Sequence, residues 1–518
     1  MQNIKNKYFD ISIPVFVPAA VITLLFVSLT IIFDKQAQES FSTFRSFMSD
    51  NMGWLVNIAI NYFLFFVLYL AVSKLGKIKI GGANAKPDFS KFSWVAMLFS
   101  AGMGIGLVYF SVAEPMLNFD NPIESGMTDL AKSKVAMKHT FLHYGFHVWA
   151  IYALMGVALA YFTFNKNAPL SIKSTLKPLF GKWMSSGVGY GIDVVAVLAT
   201  LFGLATTLGF GAVQFSSGVS LLTGVSNGNT LQILSIAGIT LIATVSVLSG
   251  LQKGLKYLSN LNIILACVLF SFVLMIGSTA YLFDGFVETL GLYIRDLFQL
   301  STFRNQYSEE GQWFKGWSMF YWLWWISWSP FVGTFIARIS KGRTIREIAI
   351  YGLLVPALFS FLWMSVFGGT ALEMQLNGTA DLAKVVSEDS SLALFTMLEE
   401  LPLYDITAAL CIFLVATFFI TSSDSGSLVV DFMTSGGKLD APKGQKVFWA
   451  FMEGAIAIAL LVGGGLSALQ SASISTGLPF AIILIFVSLS LRKTLKKDEQ
   501  LKISTPPENN NSNKYQDK

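Results

Sequence analysis

Runs of about twenty apolar residues recur along this chain, and no other feature restricts its fold as much. A hydrocarbon core about 30 Å thick is crossed by roughly 20 residues rising 1.5 Å each. Inside it each backbone polar group must be paired within its own segment, so such runs read as membrane helices. The pattern predicts twelve spans, at 13–33, 53–73, 92–113, 139–162, 188–217, 231–250, 259–283, 317–337, 347–370, 404–434, 447–466 and 471–491. Only 13% of the 518 residues are charged, about half the share in soluble domains, which excludes a solvated multidomain enzyme and a disordered scaffold. The first run follows Lys5 and Lys7 but is too long for the apolar core of a signal peptide, so it is expected to stay as a span.

The placement of Lys and Arg sets the orientation, because short translocated loops are poor in them. With both termini inside, 27 of the 36 basic residues fall on the cytoplasmic side. The net charge of +5 therefore reports topology rather than a nucleic-acid footprint. Residues 284–300 place Phe286, Leu290, Tyr293, Ile294 and Leu297 on one face, as an amphipathic helix on the outer surface or an ordinary helix packed on the protein would. The polar, Asn- and Pro-rich end of the chain reads as disordered.

No nucleotide-binding loop is present: KGRT at 341–344 lacks both the upstream glycine and a lysine next to the threonine. Uphill work by this chain would draw on an ion gradient. No G-x-S-x-G nucleophile turn occurs, and Cys267 and Cys411 sit in separate apolar runs, too few for a zinc site. His139, His143 and His147 form one stripe of the fourth span, with no Cys or carboxylate nearby in sequence to complete a metal shell. A packed or hydrogen-bonded helix face is the expectation for them.

Three segments depart from plain membrane helices. The first, Ser100 to Gly106, has glycines at 102, 104 and 106; spacing by two makes no G-x-x-x-G packing face, although a close helix crossing remains the alternative. Such a stretch can unwind where it lines a cavity, freeing N–H groups for a carboxylate and C=O groups for a cation. In the second, the eighth span, half of the twelve tryptophans lie between 313 and 328. Trp313 and Trp317 suit an interfacial belt. Trp324, Trp328, Phe331 and Phe335 form a stripe descending about 16 Å, too deep for one. Trp322 and Trp325 stand on an adjacent face. The stripe is either aromatic packing or a cage for a methylated onium group, which has no N–H to donate and is held by ring faces. The third segment, Phe418 to Ser427, sets Thr421 and Ser422 beside Phe418, offering oxygens to a dehydrated Na⁺, or else hydroxyl glue between helices. Asp424 is costly there, and with Glu114, Asp193 and Glu453 it belongs to the few charges within or at the ends of spans.

GMGIG with Ala-Glu114-Pro115, the run WWISWSPFVGTFIARISKGRTIREI at 324–348, and TSSDSGS at 421–427 resemble the betaine/carnitine/choline transporter family over nearly the whole chain. The resemblance implies one all-α integral membrane transporter domain with the leucine-transporter-like fold: two leading helices (13–73) and two five-helix inverted repeats, spans 3–7 (92–283) and 8–12 (317–491). The N-terminus (1–12) and the tail (492–518) would be cytoplasmic, and the whole a homotrimer in the bacterial cytoplasmic membrane. For substrate it implies Gly102, Met103, Gly104 and Gly106, an aromatic box of Tyr144, Trp149, Tyr152 and Trp325, and a path lined by Trp324, Trp328 and Phe335. For Na⁺, the coupling ion, it implies backbone oxygens of Ser100, Met103 and Phe418 with the hydroxyls of Thr421 and Ser422. A second sodium site would use Thr200 and Phe331, but Leu204 stands where the family has another threonine. Sodium-independent exchangers of the family carry an arginine in the seventh span; 257–283 has no Lys or Arg.

The expectation is a secondary active transporter: Na⁺ symport of a betaine-like quaternary ammonium or sulfonium zwitterion into the cell, with the lipid bilayer as its environment and neither organic cofactor nor nucleic acid. Choline, carnitine, dimethylsulfoniopropionate or proline as substrate, or a channel or osmosensor, are the alternatives. The short basic stretch after Leu491 predicts weak osmotic gating.

Overall fold

The computed structural model describes residues 3–100, 104–249, 252–304, 306–307, 312–438 and 442–504. Apart from a two-residue ladder, β1 (Ile4–Lys5) with β2 (Asp10–Ile11), its regular structure is helical. In order these are α1 (Ile13–Ile32), α2 (Asp34–Val72), α3 (Lys91–Ser100), α4 (Ile105–Asp120), α5 (Asp129–Tyr144), α6 (Phe146–Lys166), α7 (Ile172–Phe180), α8 (Gly187–Thr223) and α9 (Asn229–Ser249). They continue as α10 (Gln252–Ile276), α11 (Thr279–Thr302), α12 (Gln312–Ile339), α13 (Ile345–Asn377), α14 (Leu382–Asp389), α15 (Ala393–Glu399), α16 (Tyr404–Thr434), α17 (Lys443–Val462) and α18 (Gly465–Ser504).

The protein is an all-α membrane protein. Among the described residues ten segments are long and apolar enough to cross a bilayer, α5 and α6 counting as one. The runs at 92–113 and 317–337 are not among the ten. The first is divided between α3 and α4; the second is α12, whose tryptophans, tyrosine and serines lower its hydropathy although it is 28 residues long.

Three boundaries differ from the apolar runs. The fourth run is two helices, ending at Tyr144 and restarting at Phe146. The seventh ends at Ile276, and α11 begins three residues later at Thr279. The twelfth continues as α18 to Ser504, so 492–504 is helix rather than disordered tail; Asp498 accepts from Tyr161 and, at 2.6 Å, from Lys166 Nζ. Residues 505–518 lie outside the described residues.

Helix α11 packs on α5 and α13 through Phe286, Thr289, Leu290, Tyr293 and Leu297, but Ile294 points outward with Val287 and Phe298. Its Asp296 accepts from Arg295 and Lys138, and those two cations hold its carboxyl well below the usual carboxylate range. The segment KGRT is structural. Ile80 N–H donates to Arg343 O, Ile345 N–H to Ile78 O, and Thr344 with Glu347 forms a capping box that starts α13.

The centre of the molecule is the crossing of α6 and α12. A Cβ on Gly333 would lie 2.3 Å from Met155 Cγ, and one on Gly156 2.5 Å from Ile336 Cγ2. Absence of a side chain at both positions lets the two helices touch, as small residues do between membrane helices.

Candidate functional site

The break between α5 and α6 organises the aromatic side of the site. A helix end leaves carbonyls unpaired, and in an apolar interior they need donors. His143 O accepts from Trp325 Nε1 at 2.8 Å, and Tyr144 O from Trp149 Nε1 at 3.2 Å. The break thereby aims two indoles from two helices at one place. Trp324 stacks on Trp325 with centroids 4.5 Å apart, Tyr144 meets Trp325 edge-on at 5.6 Å, and Trp149 meets Tyr152 edge-on at 5.5 Å. Gly106 makes room for Trp324: a Cβ there would lie 3.0 Å from Cη2 of the ring.

These residues enclose a cavity with about 50 Å³ open to the centre of a water molecule, several times what one water requires. Its lining includes Gly104, Gly106, Tyr144, Trp149, Tyr152, Trp324, Trp325 and Trp328, each expected from the sequence. Thr207 of α8 and Ser360 of α13 also line it and carried no local signal. Phe335, two turns beyond Trp328 on α12, is not part of the lining. Gly102 and Met103 lie outside the described residues. Three donors on residues of the lining, Tyr152 OH, Trp324 Nε1 and Trp328 Nε1, are buried with no hydrogen-bond partner among the described residues.

Behind the rings lies a polar corner not foreseen. Glu114 of α4 is fully buried and receives four donors: His143 Nδ1 at 2.6 Å and Asn118 Nδ2 at 3.1 Å on one oxygen, Trp317 Nε1 at 2.8 Å and Tyr321 OH at 2.9 Å on the other. Trp317, expected in an interfacial belt, instead reaches this buried carboxylate. Tyr144 OH, 3.3 Å from Tyr321 OH, donates to Gly106 O at 3.2 Å and joins the corner to the cavity wall. The other histidines diverge, His139 toward Val135 O and His147 toward Asn61.

On α16, Thr421 Oγ1 donates to its own helix, 3.0 Å from Thr417 O and 3.2 Å from Phe418 O, and accepts from Asn262 Nδ2 of α10 at 3.1 Å. Asn262 had not been singled out. Ser422 follows Thr421, Ser100 closes α3, and Met103 again lies outside the described residues. Of the second group, Thr200 donates to Ala196 O at 2.9 Å, and Leu204 packs where a Cβ on Gly426 would be 2.4 Å from its Cδ1. Phe331 is half-buried against Trp328, 5.3 Å away edge-on.

The profile of the BCCT family, the betaine/carnitine/choline family transporters, matches residues 14–500. This chain belongs to that family. It is a multi-pass membrane transporter, not an enzyme. The chain is similar to a glycine betaine transporter of Vibrio parahaemolyticus, 46% identical over 96% of each chain. A glycine betaine/proline/choline transporter of the same organism is 44% identical over 95% of this chain and 91% of its own length. A glycine betaine transporter of Bacillus subtilis is 42% identical over 88% of this chain and 89% of its own. Gly104, Gly106 and Trp324, Trp325 and Trp328 thus meet at the cavity of this BCCT transporter.

Proposed function

We propose that this BCCT transporter is a Na⁺-coupled symporter that carries a betaine-like zwitterion, glycine betaine or a similar compatible solute, into a bacterial cell. The aromatic cavity carries the reading. An onium head is held by ring faces at about 0.5–2 kcal/mol per ring, and Tyr144, Trp149, Tyr152 and Trp325 present such faces. Tyr152, Trp324 and Trp328 of the lining keep an O–H and two N–H groups unpartnered among the described residues, donors that a turn of the rings would bring to a carboxylate. Among the described residues no carboxylate lines the cavity, which favours a zwitterion over the bare cation choline. The names of the relatives agree with glycine betaine and include proline and choline.

For the ion we assign Thr421, Ser422 and the backbone of Phe418, Ser100 and Met103. The Thr421 hydroxyl supports this: its proton is spent on its own helix, leaving a lone pair for a cation. The second group, Thr200 and Phe331, lacks a hydroxyl at Leu204, so we propose one sodium per cycle. Twelve spans in two inverted repeats (92–283 and 317–491), both termini in the cytoplasm, and a homotrimer in the cytoplasmic membrane complete the proposal. The division of the third span between α3 and α4 is consistent with it, because broken helices hold substrate and ion in such repeats.

The test is uptake of radiolabelled glycine betaine, choline, carnitine, proline and dimethylsulfoniopropionate into proteoliposomes with and without an inward Na⁺ gradient. Betaine accumulation that collapses without Na⁺ is expected. Uptake indifferent to Na⁺ ends the symport reading, and preference for proline or choline redirects the substrate.

A further inference from the structure

Of the carboxylates within or at the ends of the apolar runs, Glu114, Asp193 and Asp424 are partnered, whereas Asp431 of α16 and Glu453 of α17 have oxygens without a partner among the described residues. Glu114 has four donors, Asp193 is held by Lys173 through its backbone N–H at 3.0 Å and its Nζ at 3.2 Å, and Asp424 accepts from Ser246 at 2.9 Å. Glu453 differs. It stands in the middle of α17 with no exposed surface, its Oε2 3.0 Å from Ser423 Oγ, and its Oε1 without a partner among the described residues. Oε1 faces Gly426, whose added Cβ would come within 3.1 Å of it, next to the Leu204 side chain.

Among the described residues no cation is placed to neutralise it. Helices α1, α8, α9, α16 and α18 pack against α17. α1 and α9 carry no charged residue, and the only one on α8, Asp193, is already paired. The charges of α18 begin at Arg492, beyond its apolar part, and α16 adds only acids: Asp405, Asp424 and Asp431. On α17 itself, Lys443 donates to Leu248 O, and Lys446 lies two turns before Glu453. An ionised carboxylate in such a seam needs several donors, as Glu114 has, and finds one hydroxyl. Ser423 Oγ donates to Oε2 when the group is ionised, and in the neutral acid the same 3.0 Å contact runs the other way, Oε2–H donating to a lone pair of the hydroxyl.

We propose that Glu453 is a proton-binding site of this transporter, protonated when α16 and α17 are packed as here and linked through Ser423 to the segment that carries Thr421 and Ser422. When the seam opens, the proton leaves Oε2 for entering water, and it returns on closure. The proposal rests on the transporter assignment alone and stands whichever ion drives uptake.

Infrared difference spectra of reconstituted protein, unaltered against Glu453→Gln, should contain the carbonyl band of a protonated carboxylic acid that the variant lacks and that disappears at alkaline pH. Betaine uptake by the unaltered protein should fall several-fold as pH rises through the same range. Glu453→Gln, a permanent mimic of the neutral acid, should keep uptake and lose that fall. Should Glu453→Gln not assemble, Ser423→Ala removes the acid's only partner and should shift both the band and the alkaline midpoint. Absence of the band, or identical pH profiles in the unaltered and variant proteins, overturns the proposal. Running each pH series with and without Na⁺ separates this outcome from failure of sodium coupling, which would leave the band in place.

Discussion

The aromatic face of α12 and the hydroxyl segment of α16 are both polar groups set into apolar helices, yet they satisfy those groups in opposite ways. On α12 three ring donors reach other helices: Trp317 and Tyr321 donate to Glu114, and Trp325 donates to His143 O. On α16 three hydroxyls turn back on their own helix, Thr417 to Phe413 O, Thr421 to Thr417 O and Ser427 to Asp424 O, while Ser423 reaches Glu453 of α17. The first arrangement fixes rings against each other before any ligand arrives, so little ordering is left to do on binding. The second keeps oxygen lone pairs in reserve, so a cation can be taken up or released without stranding a donor. In the proposed function the first would serve as the onium cage and the second as the ion segment.

The sharpest way to break that contrast is Glu114→Ala. Four donors would lose their acceptor inside the protein, and destabilisation of about 3 kcal/mol or more is expected. Thermal unfolding in detergent measures it; a shift within error would show that the corner does not hold the cage. Next is Trp325→Ala, which removes a ring face worth about 2 kcal/mol and leaves His143 O unpaired. Apparent betaine affinity should weaken roughly thirtyfold with Na⁺ dependence unchanged. Trp325→Phe, keeping a ring but no N–H, should fall between the two.

On the other side of the comparison, Thr421→Ala should raise the Na⁺ concentration for half-maximal uptake by about tenfold and leave binding at saturating Na⁺ near normal. Equal losses of betaine and Na⁺ affinity would mean that the two regions are not separable. Smallest is Asp498→Asn, far from both. It loosens the partly exposed ion pair with Lys166, worth about 1 kcal/mol at most, and should leave uptake at fixed osmolality unchanged. Uptake that then rises with external osmolality would show that this tether restrains the carrier.

Much of the site was legible in the sequence because its parts are unusual for membrane helices. Clustered tryptophans at 322–328 and glycines at 102–106 cost helix stability or hydropathy, and such costs mark function locally. The break at Gly145 was not legible, since Tyr144-Gly-Phe146 inside an apolar run reads as continuous helix. Trp317 read as a belt residue because its partner, Glu114, is 203 positions away. Asn262 and Ser360 looked like ordinary polar residues in helices, and only their neighbours across the packing give them a place at Thr421 and at the cavity.

What the sequence by itself determined is a helical membrane protein, because lipid requires each backbone group to be paired locally and so writes helix positions into composition, and its family, through the resemblance carried by the segments at 102–115, 324–348 and 421–427. Which polar side chain meets which was decided only by tertiary structure. The four donors on Glu114, the indoles on the carbonyls freed at the α5–α6 break, and the lone hydroxyl on Glu453 depend on the register between packed helices. That register is set by interlocking side chains from distant segments, and no local pattern encodes it.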